Sequence, residues 1–336
     1  MTRHRNIPIF IPHLGCPHDC VFCNQRTISG QRDKIPADVE REIETALATI
    51  PSGTETEIAF FGGSFTGIGE EAMIRFLDIA QAYVDGGRVD GIRLSTRPDM
   101  IDRSVLALLG RYAVKTVELG LQSLDDRVLA ASCRGHTAKQ AESACRMVKE
   151  AGFSLIGQMM IGLPEATPES EVETAEVICR LGADGARIYP TVVLAGTALS
   201  RMAEDGRYRP LPLTESVVRT ADAFEVFLSH RVPVLRIGLQ AGEGLSPETV
   251  TAGVYHPATG DLVKGEIFFR REVEAVAALG DTAGKKLILR IPRGCLSEAV
   301  GQKGRNRARL TERFGIGRVR FSEETLPPFT VYAAVT

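Results

Sequence analysis

The sequence predicts an α/β fold: parallel strand–helix units forming a partial or full (β/α) barrel, followed by a small α+β unit. Three observations predict it. Strand-like and helix-like runs alternate from the N-terminus to about residue 240, the rhythm breaks there, and a short, strongly basic stretch follows. Alternation at this spacing implies βαβ units and a parallel sheet. Six or seven such units in about 240 residues favour a barrel-like arrangement over an open sheet.

Runs rich in β-branched or aromatic residues place the strands: IPIFI (7–11), EIAFFG (57–62), GIRLST (91–96), KTVELGL (115–121), FSLIGQMMI (153–161), GARIYPTVV (185–193) and VPVLRI (232–237). Amphipathic stretches between them, 36–50, 70–85, 101–112, 137–151 and 168–182, read as helices, several opening on proline or an acidic residue. Residues 1–240 therefore form the barrel. Residues 241–264, rich in glycine and turn formers, read as a connecting loop, and 265–336 as a separate C-terminal unit.

Composition bounds the function. The chain has 336 residues, 44% of them hydrophobic and 24% charged, with a formal net charge of −2. This suits an ordinary soluble globular protein of about two domains. The first fifteen residues do not read as a signal peptide, and no apolar run approaches the roughly 20 residues that span a bilayer. A cytoplasmic location is expected. Cysteines are then reduced, and clustered ones hold metal or do chemistry. Seven cysteines, an odd number, also argue against a disulfide framework. Cys133, Cys145, Cys179 and Cys295 are scattered and are expected to be buried, inert thiols.

The remaining three, Cys16, Cys20 and Cys23, lie in LGCPHDCVFCNQ (14–25), a C-x3-C-x2-C spacing with Phe22 before the last. Zinc prefers four ligands, and His13 or His18 could supply the fourth. A 4Fe–4S cluster held by three thiolates keeps one iron open for a substrate or cofactor. The spacing resembles the signature of the radical S-adenosylmethionine superfamily. That resemblance implies a 4Fe–4S cluster whose open iron chelates the methionine moiety and whose electron cleaves the sulfonium bond to give a hydrogen-abstracting radical.

Other segments carry the same resemblance. The strand ending FFGGSF (60–65) is similar to the family's Gly-Gly-Glu turn, so Gly62, Gly63 and Ser64 are expected at the methionine amino group, with serine standing where glutamate is usual. Later strands end in STRPD, ELGLQS, GQMMIGLP and RIYPT, placing polar residues where a barrel carries its site. The runs STRPD, VELGLQSLDDRVLAASCRGHT and ARIYPTVVLAGTALSRMAEDGRY resemble the radical domain of the Elongator catalytic subunit, which modifies wobble uridine in tRNA. Its acetyltransferase domain has no room in this sequence. The pattern is also similar to oxygen-independent coproporphyrinogen oxidases. Carried over by position, these likenesses imply S-adenosylmethionine contacts at Gln122, Arg134 and Gln158, the last replacing an acidic residue, and at Ser95, where both families carry glutamate.

Arg97 and Arg134 could grip the cofactor carboxylate by bidentate pairing, or Arg97 could form a salt bridge that fixes a loop. Tyr189 could meet adenine or substrate, or simply pack. Glu118 and Gln122 alternate with Leu119 and Leu121, so both are expected on one strand face. His136 precedes a helix and reads as a cap or structural histidine.

Between Lys285 and Arg320 stand eleven basic residues against two acidic ones, Glu298 and Glu312. Leu287 to Ile291 read as a strand, 296–300 as a helix, Gly301-Gln302-Lys303-Gly304 as a turn, then an amphipathic helix with Leu310 and Phe314, and RVRF (318–321) as a last strand. That order resembles the KH module, whose GxxG loop clamps single-stranded nucleic acid. Gly301, Lys303, Gly304, Arg305, Arg307 and Arg309 are the expected RNA contacts.

The expected protein is thus a radical S-adenosylmethionine enzyme that modifies RNA, tRNA foremost, supplied by a low-potential donor such as a flavodoxin or ferredoxin. A radical enzyme acting on a small molecule such as a tetrapyrrole, and a non-catalytic haem or cluster carrier, stand as the alternatives.

Overall fold

A computed structural model describes residues 4–11, 16–23, 36–239, 249–253 and 255–336. His13 and much of the 241–264 connection lie outside the described residues. The chain divides into two compact units, residues 1–211 with 226–254, and residues 212–225 with 255–336.

In the first unit strands and helices alternate: β1 (His4–Ile11), α1 (Pro36–Leu47), β2 (Glu55–Gly62), α2 (Glu70–Asp85), β3 (Gly91–Thr96), α3 (Arg103–Leu109) and β4 (Val114–Gln122). Then come α4 (Asp126–Ala131), α5 (Ala138–Glu150), β5 (Ser154–Ile161), α6 (Pro168–Arg180), β6 (Gly185–Pro190), β7 (Val192–Leu194) and α7 (Ala198–Glu204). The helix α8 (Leu213–Ser229) contains a boundary between the units, and β8 (Val234–Ile237) and β9 (Val250–Gly253) follow it.

Seven strands form one sheet in the order β1-β2-β3-β4-β5-β6-β8, every neighbouring pair parallel. The order has two ends, so the sheet is the partial form of the expected barrel among the described residues. Burial follows position. The edge strand β1 alternates, with Ile7, Ile9 and Ile11 buried and Pro8 and Phe10 exposed, whereas central β3 and β4 are buried along nearly their whole length. Side chains cap several of the helix starts. Thr137 and Gln140 form a reciprocal capping box at α5, and Thr167 with Ser170 does the same at α6, each worth about 1 kcal/mol. The expected strand 185–193 is corrected to two, because Thr191 turns both its N–H and its hydroxyl to the Ile161 carbonyl, after which β7 pairs antiparallel with β9.

The second unit contains residues 213–225 of α8, then α9 (Thr259–Ala277), β10 (Lys286–Pro292), α10 (Leu296–Val300), α11 (Arg305–Phe314), β11 (Arg318–Glu324) and β12 (Tyr332–Val335). From Thr259 onward the stretch read as connecting loop is already helix. Its sheet runs β11-β10-β12, with β10 parallel to β11 and antiparallel to β12. The core packs Phe269 and Val276 of α9 and Leu310 of α11 against Leu287, Leu289 and Val319.

Candidate functional site

The cysteine segment follows β1. Cys20 and Cys23 flank a tight turn in which the Cys23 N–H donates to the Cys20 carbonyl at 3.0 Å. Two distant backbone groups tether it: Val21 N–H donates to Ser132 O at 3.2 Å, and Leu199 N–H donates to Val21 O at 2.8 Å. Val21 is buried with Val193, Leu199 and Tyr208, and Phe22 packs on that cluster as a partly buried wall.

The sulfurs meet cations and a backbone donor. Arg134 Nη1 stands 3.2 Å and Arg97 Nη1 3.6 Å from Cys20 Sγ, and the Ser64 N–H bonds to Cys16. Burial pushes the Cys16 thiol up, while Arg97, the Ser64 N–H and Arg134 pull the other way. Such a thiol ionises poorly by itself, and a bound cation supplies the missing compensation. Among the described residues no three His, Cys, Asp or Glu side chains surround the position of a single metal ion. His18 faces Asp99 at 3.8 Å and packs against Gly135.

Ser64 contributes its backbone. Its hydroxyl is fully buried, 2.7 Å from Thr96 Oγ1, and accepts from Arg97 N–H at 3.3 Å. Gly62 is required by the fold: its φ is 108°, and a Cβ there would stand 2.7 Å from Ile11 O. Gly63 N–H donates to the same carbonyl at 3.3 Å. Arg97 donates two hydrogen bonds, each 2.9 Å, to Asp99 and another to the Arg134 carbonyl. Burial opposes ionisation of Asp99, yet those bonds hold its carboxyl below the usual carboxylate range.

Glu118 and Gln122 do not keep strict alternation. The β4–β5 register shifts between Gly120 and Gln122, and Gln122 has a φ of 66°. Its amide lies over Gly120, whose carbonyl also accepts from Arg134 Nη2. His136 is not a cap, because Thr137 takes that position. It is buried, and desolvation, helped by Arg134, lowers its pKa to about 4. Gln122 Oε1, Ser132 Oγ, Arg134 Nε and both His136 ring nitrogens are buried without a hydrogen-bond partner. Unpaired polar atoms at the end of β4 and in the connection from α4 to α5 suit a ligand site.

Deeper in the sheet lies an ionic network that the sequence pattern did not reveal. Glu118, fully buried, accepts from Arg93 Nη1 (2.9 Å), Arg187 Nε (2.8 Å) and Nη2 (3.0 Å), and Gln158 Nε2 (2.8 Å). Arg93 also pairs with Glu57 at 2.8 Å, and His4 approaches that carboxylate at 2.8 Å. Gln158 Nε2 also reaches Ser95 Oγ at 3.3 Å. Burial pushes the Tyr189 phenol up, and it hydrogen-bonds Arg187. A charged residue inside a strand, as Arg93 is in GIRLST, Glu118 in KTVELGL and Arg187 in GARIYP, is the available signal.

A family model described as the radical SAM superfamily matches residues 10–178, about half of the chain. The chain belongs to the radical SAM superfamily. A second model, the radical SAM C-terminal domain, matches residues 183–268. Members of the superfamily bind a 4Fe–4S cluster and S-adenosylmethionine, and the donor set around Cys16, Cys20 and Cys23 fits that use. An uncharacterised protein of Methanocaldococcus jannaschii is 29% identical over 69% of this radical SAM chain and 73% of its own length. The tRNA uridine(34) acetyltransferase of Dehalococcoides mccartyi is 32% identical over 37% of the chain and 28% of its own length. Elongator complex protein 3 of Mus musculus is 35% identical over 38% of the chain and 25% of its own. The chain thus spans about a quarter of these two named relatives. An archaeal Methanocaldococcus infernus Elp3 structure shares the fold, with a TM-score of 0.61 at 18% identity over 80% of this chain and 63% of that one. No helix among the described residues is long and apolar enough to cross a membrane.

In the second unit Gly301, Lys303 and Gly304 all have left-handed φ values, 74°, 54° and 77°. A Cβ on Gly301 would lie 2.8 Å from Asn306 Oδ1. The helix α11 begins at Arg305 without a side-chain cap, and Lys303, Arg305 and Arg307 are exposed. Arg309 differs: it pairs with Glu266 at 2.8 Å and its guanidinium stacks 3.5 Å from the Phe269 ring centre. The four named cysteines beyond the site also differ among themselves. Cys145 is buried, Cys179 and Cys295 are half-buried, and Cys133, contrary to expectation, is exposed.

Proposed function

We propose that this radical SAM protein is an enzyme that modifies RNA, with tRNA as its substrate class. Cys16, Cys20 and Cys23 hold the 4Fe–4S cluster, with Arg97, Arg134 and the Ser64 N–H stabilising its sulfurs. When bound, the cluster supplies one electron for reductive cleavage of S-adenosylmethionine, drawn from a flavodoxin or ferredoxin. The Gly62-Gly63 turn, Ser95, Gln122, Arg134, Gln158 and Tyr189 hold that cofactor. Arg97 and Asp99 fix the loop that brings Arg134 to the cluster.

The observation that carries the RNA reading is the exposed Lys303, Arg305 and Arg307 around an uncapped helix start. The cations and the helix dipole there suit a phosphate backbone, in a β-α-GxxG-α-β order resembling a KH module. The kinship with a tRNA uridine acetyltransferase supports the same class.

The test is anaerobic. Protein reconstituted with iron and sulfide receives S-adenosylmethionine and dithionite, and 5′-deoxyadenosine is quantified with and without bulk tRNA. Stimulation by tRNA is expected; formation indifferent to tRNA redirects the search to small molecules, and none from a loaded cluster favours a carrier. Lys303→Glu with Arg305→Glu should weaken RNA binding about tenfold or more at low salt, and unchanged affinity would remove the KH-like reading.

A further inference from the structure

Gln158 is half-buried, at the outer end of a network whose centre, Glu118, is fully buried. Arg93 and Arg187 grip Glu118 from two sides, so its carboxylate has little freedom. A carboxylate only accepts hydrogen bonds. Gln158 must therefore turn its NH₂ group towards it, since a flipped amide would set Oε1 against Oε2 at about the same 2.8 Å. Ser95 Oγ takes the other N–H. Both donors of the amide are spent, and Oε1 remains as an acceptor. A fixed acceptor recognises a hydroxyl or N–H and repels another acceptor.

We propose that Glu118 is a positioning residue that fixes the Gln158 amide so that Oε1 accepts from a ribose hydroxyl. It touches neither cofactor nor substrate; it decides which end of Gln158 does. The proposal rests on the reading of Gln158 as a contact of S-adenosylmethionine.

The experiment measures binding of S-adenosylmethionine and of its 2′-deoxy and 3′-deoxy analogues to the reconstituted full chain by calorimetry. The wild type should bind S-adenosylmethionine about tenfold tighter than one of the deoxy analogues. In Glu118→Gln, whose amide meets Gln158 in either orientation, that ratio should fall to about twofold, chiefly through weaker binding of the full cofactor. Gln158→Ala should show the same loss, and the double variant no more than either alone. Should Glu118→Gln not fold, Ser95→Ala carries the test, because it removes the second acceptor without touching buried ion pairs. Its ratio should fall about threefold, and the fall should vanish in the Gln158→Ala background.

Equal weakening of all three ligands, a further loss in the double variant, or a wild type that ignores both hydroxyls would overturn the proposal. So would an unchanged ratio in Ser95→Ala. A loaded protein that binds no S-adenosylmethionine overturns it together with the cofactor reading, and that outcome is separately visible.

Discussion

A methyl group on Gly120 would stand 2.9 Å from Gln122 Nε2 and 3.5 Å from Arg134 Nη2. Backbone must approach both side chains here, and only glycine permits it. Gly120→Ala should push Gln122 off the strand and weaken S-adenosylmethionine binding about tenfold, while the strand-buried core keeps the fold. Calorimetry on the loaded protein checks this, and wild-type affinity would show that Gln122 is not a contact. The family was legible from the three cysteines because their spacing is a local property of the chain. Arg134 was legible only through resemblance, since it meets Cys20 across 114 residues. The Arg93–Glu118–Arg187 pairing was not legible, although charged residues inside strands marked its members. Its links span 25 and 69 positions, and only the sheet register brings them together.

Among the elements, those with a strong period and clear stops were read from sequence to the residue, such as β3 at 91–96 and α2 at 70–85. Others failed for identifiable reasons. The helix α9 hides its signature because Val263, Gly265, Ile267, Phe268, Phe269 and Glu272 are all buried, so its apolar residues do not form one stripe, and Gly265 interrupts it. The strand β12 follows two prolines and is only four residues long. One side chain ties several of these pieces together. Asn306 Nδ2 reaches the carbonyls of Gly265 (2.7 Å), Ala299 (3.1 Å) and Glu298 (3.3 Å), joining the start of α11 to α9 and α10. Asn306→Ala would strand those carbonyls and open a gap, costing about 2–3 kcal/mol. Faster amide exchange in α10 and α11 than in the rest of the unit is the expected signature, and uniform exchange would show the tie to be dispensable.

At the scale of the whole molecule, stability should depend on pH through the second unit. Glu272 is fully buried, neither carboxyl oxygen has a hydrogen-bond partner, and burial raises its pKa to about 9 against the opposing field of Arg309. The unfolded chain releases this proton from its ordinary pKa near 4.5 upward, whereas the folded unit holds it until about 9. Unfolding therefore releases a proton in that window, and stability falls as pH rises, by at most about 1.4 kcal/mol per pH unit. Above about 9 the loss levels off. Glu272→Gln should flatten the slope, measured as amide-exchange protection of α9 at about pH 6 and pH 8. A slope that survives the substitution would assign it to another group. The tethering of the cysteine turn also imposes an order of events. Val21 is held by Ser132 and by Leu199, so the turn cannot take shape on a growing chain until β4, α4 and α7 have folded behind it. On the proposed assignment, the cluster site, written near the beginning of the sequence, would be completed late in time: iron and sulfide would meet a chain already largely folded, with three thiols open to oxidation until then.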